Sequence, residues 1–371
     1  MQIHRMARVC LLSITASHYR TRIYSLIDKE IGCDFIFGKD NTTVKRMDTS
    51  LLKSSREIEN HAIRGAIYSQ PGLTDLVKDY DIIINDLSIL CLSAWKMMLL
   101  AKIRGQKVIT WDHGWYGREG YVKKCLKRIY FGLADANMVY GNYARDLMIM
   151  NGFDERKLYV IHNSLDYDVQ LELRKKMFSN NIYKEHYGNE NPVLLFIGRL
   201  TEVKKLDQII EAMSLLKSKG QEYNCVFVGD GPMRETLVTI SKARGLEKNV
   251  WLYGACYDET ENASLIYNAD LCVAPGNIGL TAMHAMMFGC PCISHNDFPW
   301  QMPEFEAIKS YKTGNFFKRN DIASLADCIS EWFRLNGNLR DQIRESCFKE
   351  IDENWNPHKQ VEIIKNIIRI I

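Results

Sequence analysis

Short apolar runs recur along the chain, each followed by a stretch in which apolar positions return every three or four residues. In the first half the runs are VCLLSI (9–14), CDFIFG (33–38), DIIIND (81–86), KVITWD (107–112), ANMVYG (136–141) and LYVIHN (158–163). Between several of them lie amphipathic stretches, such as 22–30 and 88–103. Apolar runs separated by helical segments predict parallel strands joined by crossovers, an α/β layer fold. A polar, charged interval from 167 to 191 reads as a connection with some helix. The rhythm then restarts with PVLLFIG, YNCVFVGDG, NVWLYG, ADLCVAP and CPCISH, and helices are predicted over 205–218, 233–244, 257–268 and 280–288. A last amphipathic helix follows Trp355, over 357–371. The expected organisation is a Rossmann-like domain over 1–170, a linker over 171–191, a second such domain over 192–350, and a segment 351–371 packing back toward the first.

Composition narrows the function classes. A chain of 371 residues is long for one core, which agrees with two domains. A net charge of +3 argues against nucleic acid as the main partner. The 11 cysteines are scattered, only Cys290 and Cys292 lie close, and no CxxC or His-rich metal spacing occurs. They read as reduced, mostly buried thiols of a cytosolic protein. The start, MQIHRMARVCLLSI, has no cleavable signal pattern, and the most apolar window, 87–101, is interrupted by Lys96 and too short to span a bilayer. The expectation is a cytoplasmic protein, soluble or peripheral at the inner face of the plasma membrane.

The chemistry concentrates in FIGRLTEVKKLDQIIEA, 196–212. Gly198 ends a strand and lets backbone approach a ligand closely. Arg199 brings a planar fork of donors and Lys204 a point charge, close to a predicted helix start that itself favours an anion. That combination suits a diphosphate. Gly279, Leu280 and Thr281 open a second helix whose amides are able to receive a phosphate. In VGDGP, 228–232, Gly229 and Gly231 allow a tight turn, which a purely structural role explains about as well as a ligand does.

FIGRLTEVKKLDQIIEA, FVGDGPMRETL, VWLYGACYDETENASLIYNADLCVAP and GLTAMHAMMFGCPCI stand in the order and spacing of the carboxyl-terminal domain of family 4 glycosyltransferases. The chain resembles these retaining enzymes of the GT-B fold clearly over 192–327, and more weakly in WDHG (111–114) and IHNSLD (161–166). The resemblance implies two facing Rossmann-like domains with a central cleft and a crossover helix at the carboxyl end. It implies that Arg199 and Lys204 hold the diphosphate of a nucleotide-sugar. Lys205 is the alternative cation, pointing about 100° away if both lie on a helix. Gly198, Gly229, Gly231, Gly279, Leu280 and Thr281 would line the donor site. The family's two glutamates, separated by seven residues, are replaced here by Gly276 and His284, so His284 is the candidate for a ribose hydroxyl. Glu304 or Glu306 would then supply the missing carboxylate; Glu304 stands at the family's downstream glutamate. His113 would hydrogen-bond the donor sugar or the β-phosphate side. No metal and no cofactor are implied, the nucleotide-diphosphate sugar being a co-substrate.

On the acceptor side, a helix expected over 118–130 carries Lys123, Lys124, Lys127 and Arg128 on a basic face, with Val122, Cys125, Leu126 and Ile129 facing the other way. A basic amphipathic helix flanked by aromatics suits an anionic membrane or a polyprenyl-diphosphate-linked acceptor. The function expected is transfer of a hexosyl or deoxyhexosyl group to a saccharide or lipid-linked acceptor in bacterial surface polysaccharide synthesis. A non-catalytic binding subunit of the same fold and a sugar-nucleotide epimerase are the alternatives.

Overall fold

The computed structural model describes residues 7–39 and 45–371. The chain forms two compact units, Met1–Asp166 with Asn356–Ile371, and Tyr167–Trp355.

The first unit contains β1 (Val9–Ser13), α1 (Thr21–Ile31), β2 (Cys33–Lys39), β3 (Ser55–Glu59), a hairpin of β4 (His61–Arg64) and β5 (Ile67–Ser69), and the short α2 (Leu73–Leu76). It continues through β6 (Ile82–Asp86), α3 (Leu92–Arg104), β7 (Lys107–Asp112), α4 (Tyr121–Gly132), β8 (Ala136–Val139), α5 (Asn142–Met150) and β9 (Leu158–Val160). Seven strands form a parallel sheet in the order β3-β2-β1-β6-β7-β8-β9. Its central strands are apolar on both faces because helices cover both. One face is packed by Met97, Met98, Trp115, Tyr130 and Phe131, the other by Tyr24, Phe35, Phe37 and Trp111.

The second unit contains α6 (Tyr167–Arg174), α7 (Ile182–Tyr187), β10 (Val193–Ile197), α8 (Asp207–Ser218), β11 (Asn224–Val228), α9 (Arg234–Ala243), β12 (Val250–Gly254) and α10 (Glu259–Asn268). It ends with β13 (Leu271–Ala274), α11 (Leu280–Met287), β14 (Cys292–His295), β15 (Gly314–Phe317), α12 (Ile322–Asn336) and α13 (Arg340–Asn354). The sheet is again parallel, β12-β11-β10-β13-β14-β15. The chain then returns as α14 (Pro357–Ile370) to the first unit, where Val361, Ile364 and Ile367 are buried in the core that α1 also covers.

Some elements escaped the apolar pattern. SREIE in β3 lies at a sheet edge and buries only Ile58, so its alternation is too weak to read. β15 has just four residues. The interval expected as a linker holds the end of α6 and all of α7 and lies inside the second unit. It is fastened there by the Tyr183 hydroxyl donating to Leu265 O at 2.7 Å, and by the Asn180 amide donating to Asn268 Oδ1 at 2.9 Å.

Candidate active site

In each sheet the strand order reverses once, between β1 and β6 and between β10 and β13. Crevices beyond the carboxyl ends of strands at such points are the natural ligand sites of doubly wound folds. The candidate residues gather at both.

In the second unit, β10 runs into Gly198 at φ +141° and then the exposed Arg199. The helix expected from residue 205 does not start there. Instead a 3-10 turn spans Glu202–Lys204, Lys205 takes the left-handed conformation at φ +53°, and α8 begins at Asp207. Lys204 and Lys205 are thus separated by a change of backbone hand, not by a helical step. The Lys205 ammonium lies 3.8 Å from Glu202. The Lys204 ammonium turns inward and donates to Asn277 O at 2.7 Å and to Asn277 Oδ1 at 2.8 Å, in the loop after β13. Burial lowers the Lys204 pKa to about 8; the Glu304 carboxylate opposes this and Arg199 adds to it. Lys204 thus feels the charges of Arg199 and of the buried Glu304 at the mouth of the sheet.

The loop carrying Asn277 is held from two sides. The Gly276 amide donates to Lys204 O at 2.9 Å, and a Cβ on Gly276 would lie 2.1 Å from Val203 O. A residue with a side chain has no room there without the loop shifting. On the other side the Ile278 amide donates to Gln301 Oε1 at 3.1 Å, while Gln301 Nε2 donates to Ser294 Oγ at 2.7 Å and His295 O at 3.0 Å. Gly279 follows at φ +54°, and no side chain caps α11 behind it. Leu280 opens α11, and the Thr281 hydroxyl donates to Ile197 O at 2.9 Å, pinning the helix start to the end of β10. Two cations and the amino end of α11 converge on one small region. By charge and by dipole the region suits an anion.

Gly229 and Gly231 serve the backbone. A Cβ on Gly229 would fall 1.9 Å from Gly198 O, and one on Gly231 2.5 Å from Leu200 O. The turn presses against 198–200 and holds it through Leu200 N to Asp230 O and Met233 N to Leu200 O. His284 Nε2 lies 2.9 Å from Glu259 Oε1, which also accepts from Gln170 Nε2 at 2.8 Å. Burial works to raise the Glu259 carboxyl, yet the bonds from His284 and Gln170 hold it below its usual range. The ring expected to read a ribose is thus tied into a brace between α6, α10 and α11.

In the first unit, Asp86 at the end of β6 pairs with Arg20 at 2.6 Å and accepts from the Ser13 hydroxyl at 2.8 Å. Arg20 also donates to Tyr140 and stacks over Trp111 at 5.2 Å. Burial raises the Asp86 carboxyl, with Arg20 opposing. His113 follows β7 directly, its ring 4.9 Å from that of Tyr140 and 5.8 Å from that of Tyr116. Beside it lies a cavity of about 470 Å³ lined by residues that include Leu90, Asp112, His113, Lys123 and Leu126.

The basic face expected on α4 needs correction. The helix starts at Tyr121, and Lys127 is buried, 2.7 Å from Glu119 and donating to Gly114 O as well. Burial works to raise the Glu119 carboxyl; Lys127 and the Tyr116 amide outweigh it and keep it low. Lys123, Lys124 and Arg128 remain at least partly exposed. Sequence reasoning missed Arg20, Asp86, Asn277 and Gln301, because each acts through partners distant in the chain. Among the described residues, no group of three or more His, Cys, Asp or Glu is placed to hold a metal ion, and no helix is long and apolar enough to cross a membrane.

Comparison with known proteins bears on the fold. Residues 179–349 match the family model of glycosyl transferases group 1. The chain is 31% identical over 117 residues to alpha-D-kanosaminyltransferase of Streptomyces kanamyceticus, covering 30% of either chain. It is 25% identical over 217 residues to the poly(ribitol-phosphate) alpha-N-acetylglucosaminyltransferase of Staphylococcus aureus, covering 57% of this chain and 39% of that one. The matches thus span less than half the length of these relatives. The crystal structure of Anabaena Alr3699/HepE in complex with UDP superposes with a TM-score of 0.73 at 15% identity, over 98% of this chain and 100% of that one. With two parallel sheets of this topology, the chain has the GT-B fold, and its residues 179–349 are similar to the glycosyl transferases group 1 family.

Proposed function

We propose that this protein is a retaining glycosyltransferase that moves a hexosyl or deoxyhexosyl group from a nucleotide-diphosphate sugar to a saccharide or lipid-linked acceptor, in the making of a bacterial surface polysaccharide. The observation that carries the reading is Lys204, an ammonium kept in a partly desolvated place beside Arg199 and the amino end of α11. A cation held there against its own solvation has its best use when an anion arrives. The UDP of the fold neighbour and the polymer acceptor named for the Staphylococcus relative support the substrate classes.

In this reading the bond from the anomeric carbon to the β-phosphate oxygen breaks, and its electron pair leaves on the phosphate. Arg199, Lys204 and the α11 amides neutralise that charge as it develops, each strong contact being worth about 2–4 kcal/mol. The acceptor hydroxyl bonds to the anomeric carbon on the face the phosphate leaves, and its proton passes to the departing phosphate oxygen. His113 takes the role the resemblance implies, a hydrogen bond to the donor sugar.

A thermal-shift screen with UDP, GDP, ADP, CMP and dTDP and their sugars tests the donor site. One nucleotide should raise the melting temperature, and Arg199→Ala and Lys204→Ala should each remove that shift while the unliganded protein melts within a few degrees of wild type. Both variants should lower kcat/KM at least about 100-fold. A shift or turnover that survives in both would sink the assignment. No shift with any nucleotide would favour a non-catalytic binding subunit.

A further inference from the structure

The first sheet has a second cavity at the amino ends of its strands, the end opposite Asp86 and His113. Arg8, Asp81 and Gln106 each stand one residue before a strand, and β1, β6 and β7 lie side by side, so the three meet at one end of the sheet. Around them opens a cavity of about 620 Å³, bounded also by Ile368 and Ile371 at the end of the chain. Cavities of about 300–1,000 Å³ suit small ligands. The frame is fixed. The Asp81 amide donates to Arg8 O at 2.9 Å, and the Asp81 carboxylate accepts from the Arg8 amide at 2.7 Å. Tyr80 is tethered by its hydroxyl, which donates to Asp34 at 2.6 Å, and the Arg8 guanidinium lies 4.8 Å from the centre of its ring. Gln106 is 8% exposed; its Nε2 donates to Val77 O at 2.8 Å and to Tyr80 O at 2.6 Å. Its Oε1 is buried and accepts no bond among the described residues. A buried carbonyl oxygen in that state costs free energy until a donor reaches it.

The lining is mixed in charge. Arg8, Lys78, Arg104 and Lys107 bring four cations, against the two carboxylates of Asp79 and Asp81. Lys107 lies 3.3 Å from Asp135, whereas Arg8, Lys78 and Arg104 form no ion pair among the described residues. Cations facing a cavity without a counter-ion favour an anion there. The Gln106 oxygen and the carboxylates among them call instead for hydroxyl donors. Inorganic phosphate meets only the first demand and a neutral sugar only the second. We propose that this cavity binds a hexose phosphate. Its phosphate pairs with Lys78, Arg104 and Arg8, its hydroxyls donate to Gln106 Oε1 and the Asp81 carboxylate, and the apolar face of its ring rests on Ile368 and Ile371. None of these residues belongs to the donor region of the second unit, so the proposal does not rest on the glycosyltransferase reading.

Isothermal titration calorimetry of the whole protein tests it, with glucose 6-phosphate, mannose 6-phosphate and glucose 1-phosphate as probes and with inorganic phosphate and glucose as controls. At least one probe should bind at least about tenfold more tightly than either control. Lys78→Gln/Arg104→Gln, which changes two exposed side chains, should weaken that binding at least about tenfold and leave the melting temperature and any nucleotide-induced shift as in wild type. Lys204→Ala should leave it within about twofold of wild type. Absence of binding by all three probes, binding of inorganic phosphate as tight as that of any probe, or an affinity unchanged in Lys78→Gln/Arg104→Gln would overturn the proposal. So would loss of binding in Lys204→Ala, which would put the sugar phosphate on the cation of the second unit. Because nucleotide shifts and sugar-phosphate heats are read separately, this proposal and the donor-site reading fail independently.

Discussion

Lys204 holds its charge where burial resists it, with a pKa near 8 against the ordinary lysine value of 10.5. In that interval the unfolded chain binds the extra proton, so this residue's contribution to stability grows as pH rises from about 8 to 10.5. Donor binding runs the other way. A bound diphosphate favours the ammonium, so affinity for the cognate nucleotide should fall from about pH 7 to 9.5, with close to one proton taken up per ligand near pH 9. Calorimetry in buffers of different ionisation enthalpy reads that uptake, and an affinity flat across this range would remove Lys204 from the site. Gly276 offers a second test. Gly276→Glu introduces the carboxylate that the resemblance implies at this position, but its Cβ has only 2.1 Å to Val203 O. It should cost about 3 kcal/mol in urea unfolding and abolish the nucleotide shift. Arg199 and Lys204 were legible in the sequence, because a glycine ending an apolar strand announces the position of the cations after it. Gln301 and Asn277 were not. Their partners, Ile278 and Lys204, lie 23 and 73 residues away, and nothing local marks them.

Among the elements, α4 and α11 show how a helix is placed by one polar contact. The buried pair of Lys127 and Glu119 closes the segment Gly114–Glu119 against α4, with the Tyr116 and Gly117 amides donating to the same carboxylate at 2.8 and 2.9 Å. Lys127→Ala strands that carboxylate and should destabilise the first unit by about 3–5 kcal/mol. A loss below about 1 kcal/mol in urea melts would show that water replaces the ammonium and that the pair is dispensable. In α11, Thr281→Val removes the bond to Ile197 O and should cost about 1 kcal/mol while weakening the nucleotide shift. The existence of both helices follows from spacing. Their rotation does not: α4 has cations on one arc and apolar residues on another, and either arc satisfies the period. The inward face takes Tyr130, Phe131 and one residue of the basic arc, Lys127, held by Glu119 outside the helix, while Lys123, Lys124 and Arg128 stay at least partly exposed.

For the whole molecule, α14 completes the first unit although it follows the second in sequence. Gln360 accepts from the Ser164 hydroxyl at 2.6 Å and donates to His162 O at 2.8 Å, and Lys365 lies 3.1 Å from Glu30 on α1. Ending the chain at Trp355 should lower the calorimetric melting of the first unit and leave that of the second, with its nucleotide shift, near wild type; equal loss in both would mean that the units unfold as one. What the sequence by itself determined is the class of fold and the place of two candidate cations after a strand end, since apolar periodicity and strand-end glycines are local and survive in one dimension. Only the tertiary structure decided that Lys204 turns to Asn277, that Gly276 leaves no room for a carboxylate, that His284 is bound to Glu259, and that α4 turns Lys127 inward. Each of these is a choice between two locally equal arrangements, settled by burial and by partners that the fold brings from elsewhere in the chain.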